Sequence, residues 1–121
     1  MEKEREEQVI SLCQKLIQQK SYSGEESGVV GVLSENMKQM GFDEVTVDKY
    51  GNIIGCIKGN RPGKKVLFDG HIDTVPVTEE TEWLYPPFAA EIHDGKIYGR
   101  GTSDMKGAVA AMTCAASNYA K

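Results

Sequence analysis

The segment VLFDGHIDTVP at residues 66–76 joins an apolar run directly to two side chains that can bind a metal ion or move a proton. The unbroken Val66-Leu67-Phe68 run predicts a strand over 64–70 that is buried on both faces. His71 and Asp73 follow at positions i and i+2, so their side chains point to the same side of the chain. Ligands of open α/β sheets usually lie beyond the carboxyl ends of the strands. The segment therefore indicates both an α/β fold and a candidate site.

The helices are predicted from apolar residues that recur at helical spacing. This spacing covers residues 4–20 and 24–40. Ser23-Gly24-Glu25-Glu26 has the S-x-x-E form of a capping box for the second helix, and Gly41 stands where its C-cap is expected. A last helix is predicted from about Ser103 and is apolar almost all round, so it needs cover on several sides.

Hairpins are predicted on both sides of the opening segment. Val45 and Val47 alternate with polar residues, and a turn at 50–52 leads to a returning strand at 53–57. Asp94-Gly95 is a strong hairpin dipeptide, which joins 90–93 to 96–98. The order of elements predicts a layered α/β domain without an internal repeat or linker.

Composition and charge argue against a nucleic-acid partner, a signal peptide and a membrane span. The 121 residues suffice for one modest domain, and a formal net charge of −4 without a basic cluster argues against a nucleic-acid partner. The charged N-terminus and the lack of a long apolar stretch argue against a signal peptide or membrane span, so we expect a cytoplasmic protein. Cys13, Cys56 and Cys114 are far apart, which favours reduced, buried thiols over a zinc site.

His71 and Asp73 have two interpretations. In the first, the imidazole binds a metal while the carboxylate orients the ring and raises its basicity. In the second, Asp73 and Thr74 form a turn and His71 is an ordinary, partly buried histidine. The His-x-Asp spacing alone does not separate them.

The stretch YGRGTSDMKG at residues 98–107 has three interpretations. Gly99-x-Gly101 is typical of a dinucleotide loop, but Asp104 stands where the third glycine belongs and would repel a pyrophosphate. Alternatively, Ser103 or Asp104 caps the last helix. In the third interpretation Asp104 is a metal ligand, and the glycines let the backbone pass close to the site.

Taken together, these two motifs resemble the zinc-dependent amidohydrolase and peptidase family that includes acetylornithine deacetylase, succinyl-diaminopimelate desuccinylase, aminoacylase and glutamate carboxypeptidase. GHIDTVP at 70–76 is followed by YGRGTSDMKG in the order that the family shows. Further similarities lie at Gly51-Asn52, Trp83, Pro87-Phe88 and DGKIY of 94–98. The resemblance spans essentially the whole chain and implies the N-terminal portion of a layered α/β/α metallopeptidase-like catalytic domain, with a mixed sheet flanked by helices.

The resemblance also implies roles for single residues. His71 would bind one zinc, Asp104 would bridge two, and Asp73 would serve catalysis by holding His71. The implied cofactor is two Zn²⁺ ions, with Co²⁺ or Mn²⁺ as alternatives. A cis peptide bond is implied directly after Asp104. Arg100 and Lys106 belong to the motif, but we interpret them as structural.

The family pattern requires more groups than this sequence offers. It needs a Glu-Glu pair after the bridging aspartate, a further carboxylate and a second histidine, whereas Glu25-Glu26 and Glu79-Glu80 precede Asp104. We read His93 as a surface residue. Residues 1–121 are therefore expected to be the N-terminal segment of a catalytic domain, without its C-terminal half or its lid or dimerisation domain.

The predicted function of the full-length protein is hydrolysis of the amide bond in N-acyl amino acids or short peptides. The predicted partners are that small substrate and a second subunit of a homodimer. The chain alone is expected to be inactive. The alternative is a non-catalytic folding or interaction module.

Overall fold

The computed structural model describes residues 2–120, and at Glu80 it describes the backbone alone. Met1, Lys121 and the side chain of Glu80 in the Glu79–Glu80 pair therefore lie outside the described part of the chain. The α/β class predicted from the sequence is confirmed. The helices are α1 (Lys3–Ile17), α2 (Ser27–Gln39) and α3 (Gly107–Ser117), and the strands are β1 (Glu44–Val47), β2 (Ile53–Cys56), β3 (Glu91–His93) and β4 (Lys96–Tyr98). A short 3₁₀ turn covers Glu80–Glu82.

The core lies where α1 packs against α3 and α2. Its buried side chains come from all three helices and from the loop before β3: Leu12, Cys13, Leu16, Ile17, Val29, Leu33, Ala90, Val109, Ala110 and Cys114. Burial of each large aliphatic side chain contributes about 1.5–3 kcal/mol. All three cysteines are free, with Cys13 and Cys114 buried as predicted and Cys56 half-buried.

Helix α2 begins later than predicted. The capping box is wrong, because α2 starts at Ser27 and no side chain caps its N-terminus. Instead, the Glu26 carboxylate accepts a hydrogen bond from the Gly24 N–H at 2.7 Å. The C-terminus agrees with the prediction: Gly41 has a φ of +87°, and the amides of Gly41 and Phe42 donate to the carbonyls of Lys38 and Met37. This pair of bonds is a Schellman motif.

Both hairpins form as predicted, and the sheets remain small. β1 pairs antiparallel with β2, and β3 pairs antiparallel with β4. Asp94 and Gly95 have φ values of 52° and 74°, as a two-residue turn of type I′ requires. Beyond these pairs, the residues described contain one isolated parallel bridge, between Tyr22 and Thr74. Of the predicted mixed sheet, the described residues form two antiparallel hairpins and this bridge.

The predicted strand at 64–70 is wrong. No strand is present there, and Val66, Leu67 and Phe68 are 78%, 87% and 61% exposed rather than buried. A strand needs a neighbour to accept its backbone hydrogen bonds, and no strand within residues 2–120 pairs with this segment. The apolar run therefore has the composition of a buried strand but pairs with no other strand among the described residues.

Helix α3 is buried on one side. Val109, Ala110, Thr113 and Cys114 face the core, while the alanines at 108, 111 and 115 are exposed. Among the described residues, α3 is therefore covered on one side, whereas cover on several sides was predicted. Within that part of the chain, no helix is long and apolar enough to cross a membrane.

Candidate metal centre

Glycines bring the 99–106 turn close to the rest of the molecule. A Cβ atom on Gly99 would lie 2.5 Å from Ile17 Cγ2, and one on Gly101 would lie 2.6 Å from Thr74 Cγ2. Gly101 also has a φ of +88°, which favours glycine. The turn therefore passes directly beside the end of α1 and the loop that carries His71.

The turn presents Asp104 toward His71. Asp104 and Met105 interrupt the helical backbone with φ values of −134° and −137°. The peptide bond between them is cis, as the resemblance implied. Neither Ser103 nor Asp104 makes a capping hydrogen bond to α3, so the interpretation of these residues as a helix cap is wrong.

His71 lies between two carboxylates. Its Nε2 atom is 2.8 Å from Asp104 Oδ1, and its Nδ1 atom is 3.2 Å from Asp73 Oδ1. Nδ1 also lies 3.1 Å from the Asp73 carbonyl oxygen. The structure thus brings together all three predicted site residues, His71, Asp73 and Asp104, although they come from two separate motifs.

These contacts change the protonation of the metal-free site. The hydrogen bond to Asp104 and then the carbonyl of Asp73 raise the pKa of His71 above its ordinary value. The pKa of Asp73 is lowered, chiefly because the Ser23 hydroxyl donates to its carboxylate. The imidazolium form of His71 is therefore favoured more than in a histidine without these partners.

The loop that carries His71 is fixed by residues that follow α1. The Ser21 hydroxyl, which is fully buried, donates to the Ile72 carbonyl at 2.8 Å. The Thr74 amide donates to the Ser21 carbonyl, also at 2.8 Å. Next to this pair, the Ser23 hydroxyl donates to Asp73 Oδ2. Sequence reasoning missed both serines, because nothing local marks contacts with residues so distant along the chain.

Lys106 fixes the other motif to the same place. Its side chain is 1% exposed, and Nζ donates to the carbonyls of Leu16 at 2.8 Å and Gln19 at 2.9 Å. Burial lowers the pKa of this ammonium to about 8. Lys106 thus adds a charged donor at the C-terminal end of α1 and at Gln19 just beyond it, and these contacts hold the turn that contains Asp104.

A cavity of about 440 Å³ opens beside these residues. Its lining includes His71, Asp73, Trp83, Tyr98, Arg100 and Asp104. The Arg100 guanidinium lies 5.0 Å from the centre of the Trp83 ring, so it supports the cavity wall rather than the metal position. His93, predicted as a surface residue, is half-buried and stacks on Tyr85 at 3.7 Å.

The chain is similar to M20 peptidases in sequence and in structure. Residues 67–121 match the model of peptidase family M20/M25/M40. An M20 family metallo-carboxypeptidase from Sulfolobus solfataricus, Sso-CP2, has a similar solved structure, with a TM-score of 0.76 and 26% sequence identity. The similarity covers 98% of this chain and 27% of that chain. The resemblance seen in the sequence is therefore supported at the level of the M20 peptidases, and a particular activity within that group is not distinguished.

The donor set fits part of a metal site. An imidazole nitrogen and a carboxylate oxygen suit Zn²⁺, Co²⁺ or Mn²⁺, and both side chains are accessible, at 48% exposed for His71 and 86% for Asp104. Within residues 2–120, however, no three His, Cys, Asp or Glu side chains are grouped so that they could hold a metal ion. His71 and Asp104 can thus supply two ligands of a larger set.

Replacement of Lys106 by methionine should destabilise the metal-free protein by about 1.5–3 kcal/mol. The variant keeps the volume but leaves the Leu16 and Gln19 carbonyls without their charged donor. Urea denaturation measures the free energy of unfolding. Lys15→Met, which changes an exposed lysine of α1, is the matched control. Equal stability of the two variants would contradict this role.

The pKa of His71 in the metal-free protein should lie above its ordinary value and should fall in Asp104→Asn. The carboxylate of Asp104 is the largest cause of the shift. Because the folded-state pKa is raised, the contribution of this contact to stability is present at low pH and is lost as pH rises through that pKa. An NMR titration of the imidazole measures the value, with Asp94→Asn in the β3–β4 turn as control. An unchanged pKa in Asp104→Asn would contradict the contact.

Proposed function

We propose that the protein containing this chain is a metal-dependent hydrolase that cleaves the amide bond of N-acyl amino acids or short peptides. The observation that carries the proposal is the placement of His71 Nε2 2.8 Å from Asp104 Oδ1 beside a cavity. Two motifs distant in sequence converge on one point there. The match to the M20 peptidase model over residues 67–121 supports the same chemistry.

The proposed cofactor is a pair of Zn²⁺ ions, with Co²⁺ and Mn²⁺ as alternatives. His71 would bind one ion through Nε2, and Asp104 would contact both. When bound, such ions lower the pKa of a water molecule and polarise the carbonyl of the substrate amide. The remaining ligands and the general base would come from outside residues 2–120.

The residues of this chain prepare the site in two ways. Asp73 Oδ1 lies 3.2 Å from His71 Nδ1, so it would accept a hydrogen bond from Nδ1–H, fix the ring and leave Nε2 as the metal ligand. Asp104 provides negative charge where cations would gather, since its carboxylate is mostly exposed to the cavity side. Release of a proton from His71 would accompany metal binding.

The cavity suits a small substrate. Its wall is formed in part by Trp83 and Tyr98, whose rings can contact an acyl group or an apolar side chain. The net charge of −4 favours a small molecule or peptide over a nucleic acid. We propose in addition that the full-length protein acts as a cytoplasmic homodimer, away from membranes.

Metal content should separate the roles of Asp104 and Asp73 in the full-length protein. Asp104→Ala should abolish loading of two ions, because the carboxylate that offsets their mutual repulsion is lost. Asp73→Asn should weaken metal affinity by about 10–100-fold without abolishing it. Atomic absorption and competition with a chelator measure both effects. Equal metal loss in the two variants would contradict the assigned roles.

A further inference from the structure

The α1–α2 loop contributes a side chain to the site through Ser23. Its hydroxyl donates to Asp73 Oδ2, and the other carboxylate oxygen, Oδ1, lies 3.2 Å from His71 Nδ1. On the far side of the ring, Nε2 is 2.8 Å from Asp104 Oδ1. Four polar groups from three separate segments thus form one continuous chain that ends at the proposed metal position.

Neither member of the central pair is held by close packing. The side chains of His71 and Asp73 are 48% and 36% exposed, so the carboxylate can rotate and water can compete for its oxygens. The ring also has a second acceptor at Nδ1, the Asp73 carbonyl oxygen at 3.1 Å. A further contact is therefore needed to keep Oδ1 aimed at the ring, and the Ser23 hydroxyl is the group that holds the opposite oxygen.

We propose that Ser23 is a positioning residue of the metal centre, which fixes the Asp73 carboxylate so that His71 keeps its proton on Nδ1 and offers Nε2 to the metal. This inference rests on the proposed function. A hydroxyl that donates to one carboxylate oxygen leaves the other to accept from the imidazole, and the tautomer of a histidine is set by the partner of its non-ligating nitrogen.

The backbone around Ser23 is held independently of its hydroxyl. The Thr74 amide donates to the Ser21 carbonyl, and the Ser21 hydroxyl donates to the Ile72 carbonyl. Ser23 itself is exposed. Ser23→Ala should therefore remove the contact to Asp73 without unfolding the loop, and Ser23→Thr should restore the hydroxyl.

The first experiment measures zinc affinity of the full-length protein by competition with a chromophoric chelator. Ser23→Ala should bind zinc about tenfold more weakly, at the low end of the range for groups that orient a ligand. Ser23→Thr should recover most of the affinity. Ser27→Ala is the matched control, because Ser27 is an exposed serine at the start of α2 whose hydroxyl makes no hydrogen bond within residues 2–120.

The second experiment needs no metal. ¹H–¹⁵N NMR of the metal-free protein, at a pH where both histidine rings are protonated, measures how fast each ring N–H exchanges with water. The sequence has two histidines, and His93 serves as an internal reference because it contacts Glu91 and Tyr85 instead. The Nδ1–H of His71, which faces the Asp73 oxygens, should exchange more slowly in the wild type than in Ser23→Ala, and slowly again in Ser23→Thr.

The two measurements separate failure of this inference from failure of the proposed function. A wild type that binds no zinc would overturn the metal-dependent hydrolase, while an Nδ1–H exchange rate that follows Ser23 would still support the positioning of His71. An unchanged exchange rate in Ser23→Ala would overturn the inference, with or without a loss of zinc affinity. Zinc binding that is unaffected by Ser23→Ala in a wild type that does bind zinc would overturn it as well.

Discussion

The buried ammonium of Lys106 is the interaction on which the arrangement of the site depends. It joins the carbonyls of Leu16 and Gln19, at the end of α1, to the turn that presents Asp104. A buried cation is costly unless its donors are used, and here the carbonyls of Leu16 and Gln19 accept from it. Because α1 is also the centre of the core, the position of Asp104 is tied to the best-packed part of the molecule.

The same stretch of chain holds the other motif. Ser21 exchanges hydrogen bonds with Ile72 and Thr74, and Ser23 contacts Asp73. Residues 16–23 therefore act as a common support on which the His71 loop and the Asp104 turn are both fixed. Such a support sets the distance between two ligands more firmly than a direct contact between two exposed side chains could.

The charged groups around His71 also affect the protonation of the site. Two carboxylates face one imidazole, which favours the protonated ring when no metal is present. A metal ion that bound Nε2 would have to replace a proton there, so metal affinity would depend on pH. The exposure of His71 and Asp104 would leave room for this exchange, whereas Lys106 is buried and bound to the end of α1.

Much of this arrangement could be predicted from the sequence, for identifiable reasons. The hairpin at Asp94-Gly95 and the end of α2 at Gly41 depend on positive φ angles, which are encoded locally. His71, Asp73 and Asp104 stood out because their spacing within two long motifs matches a known pattern. Ser23 was misread as a helix cap because the S-x-x-E pattern is local, whereas its acceptor lies 50 residues away. The strand at 64–70 was wrongly predicted because an apolar composition indicates that a segment tends to form a strand, but it does not show whether a partner strand is present.

The proposed role of His71 and Asp104 as ligands of the same metal ion can be tested by anomalous diffraction at the zinc absorption edge, from crystals of the full-length protein grown with zinc. We expect a zinc peak about 2.0–2.2 Å from both His71 Nε2 and a carboxylate oxygen of Asp104. Zinc bound elsewhere, with Nε2 still in contact with Asp104 and no metal between them, would contradict it.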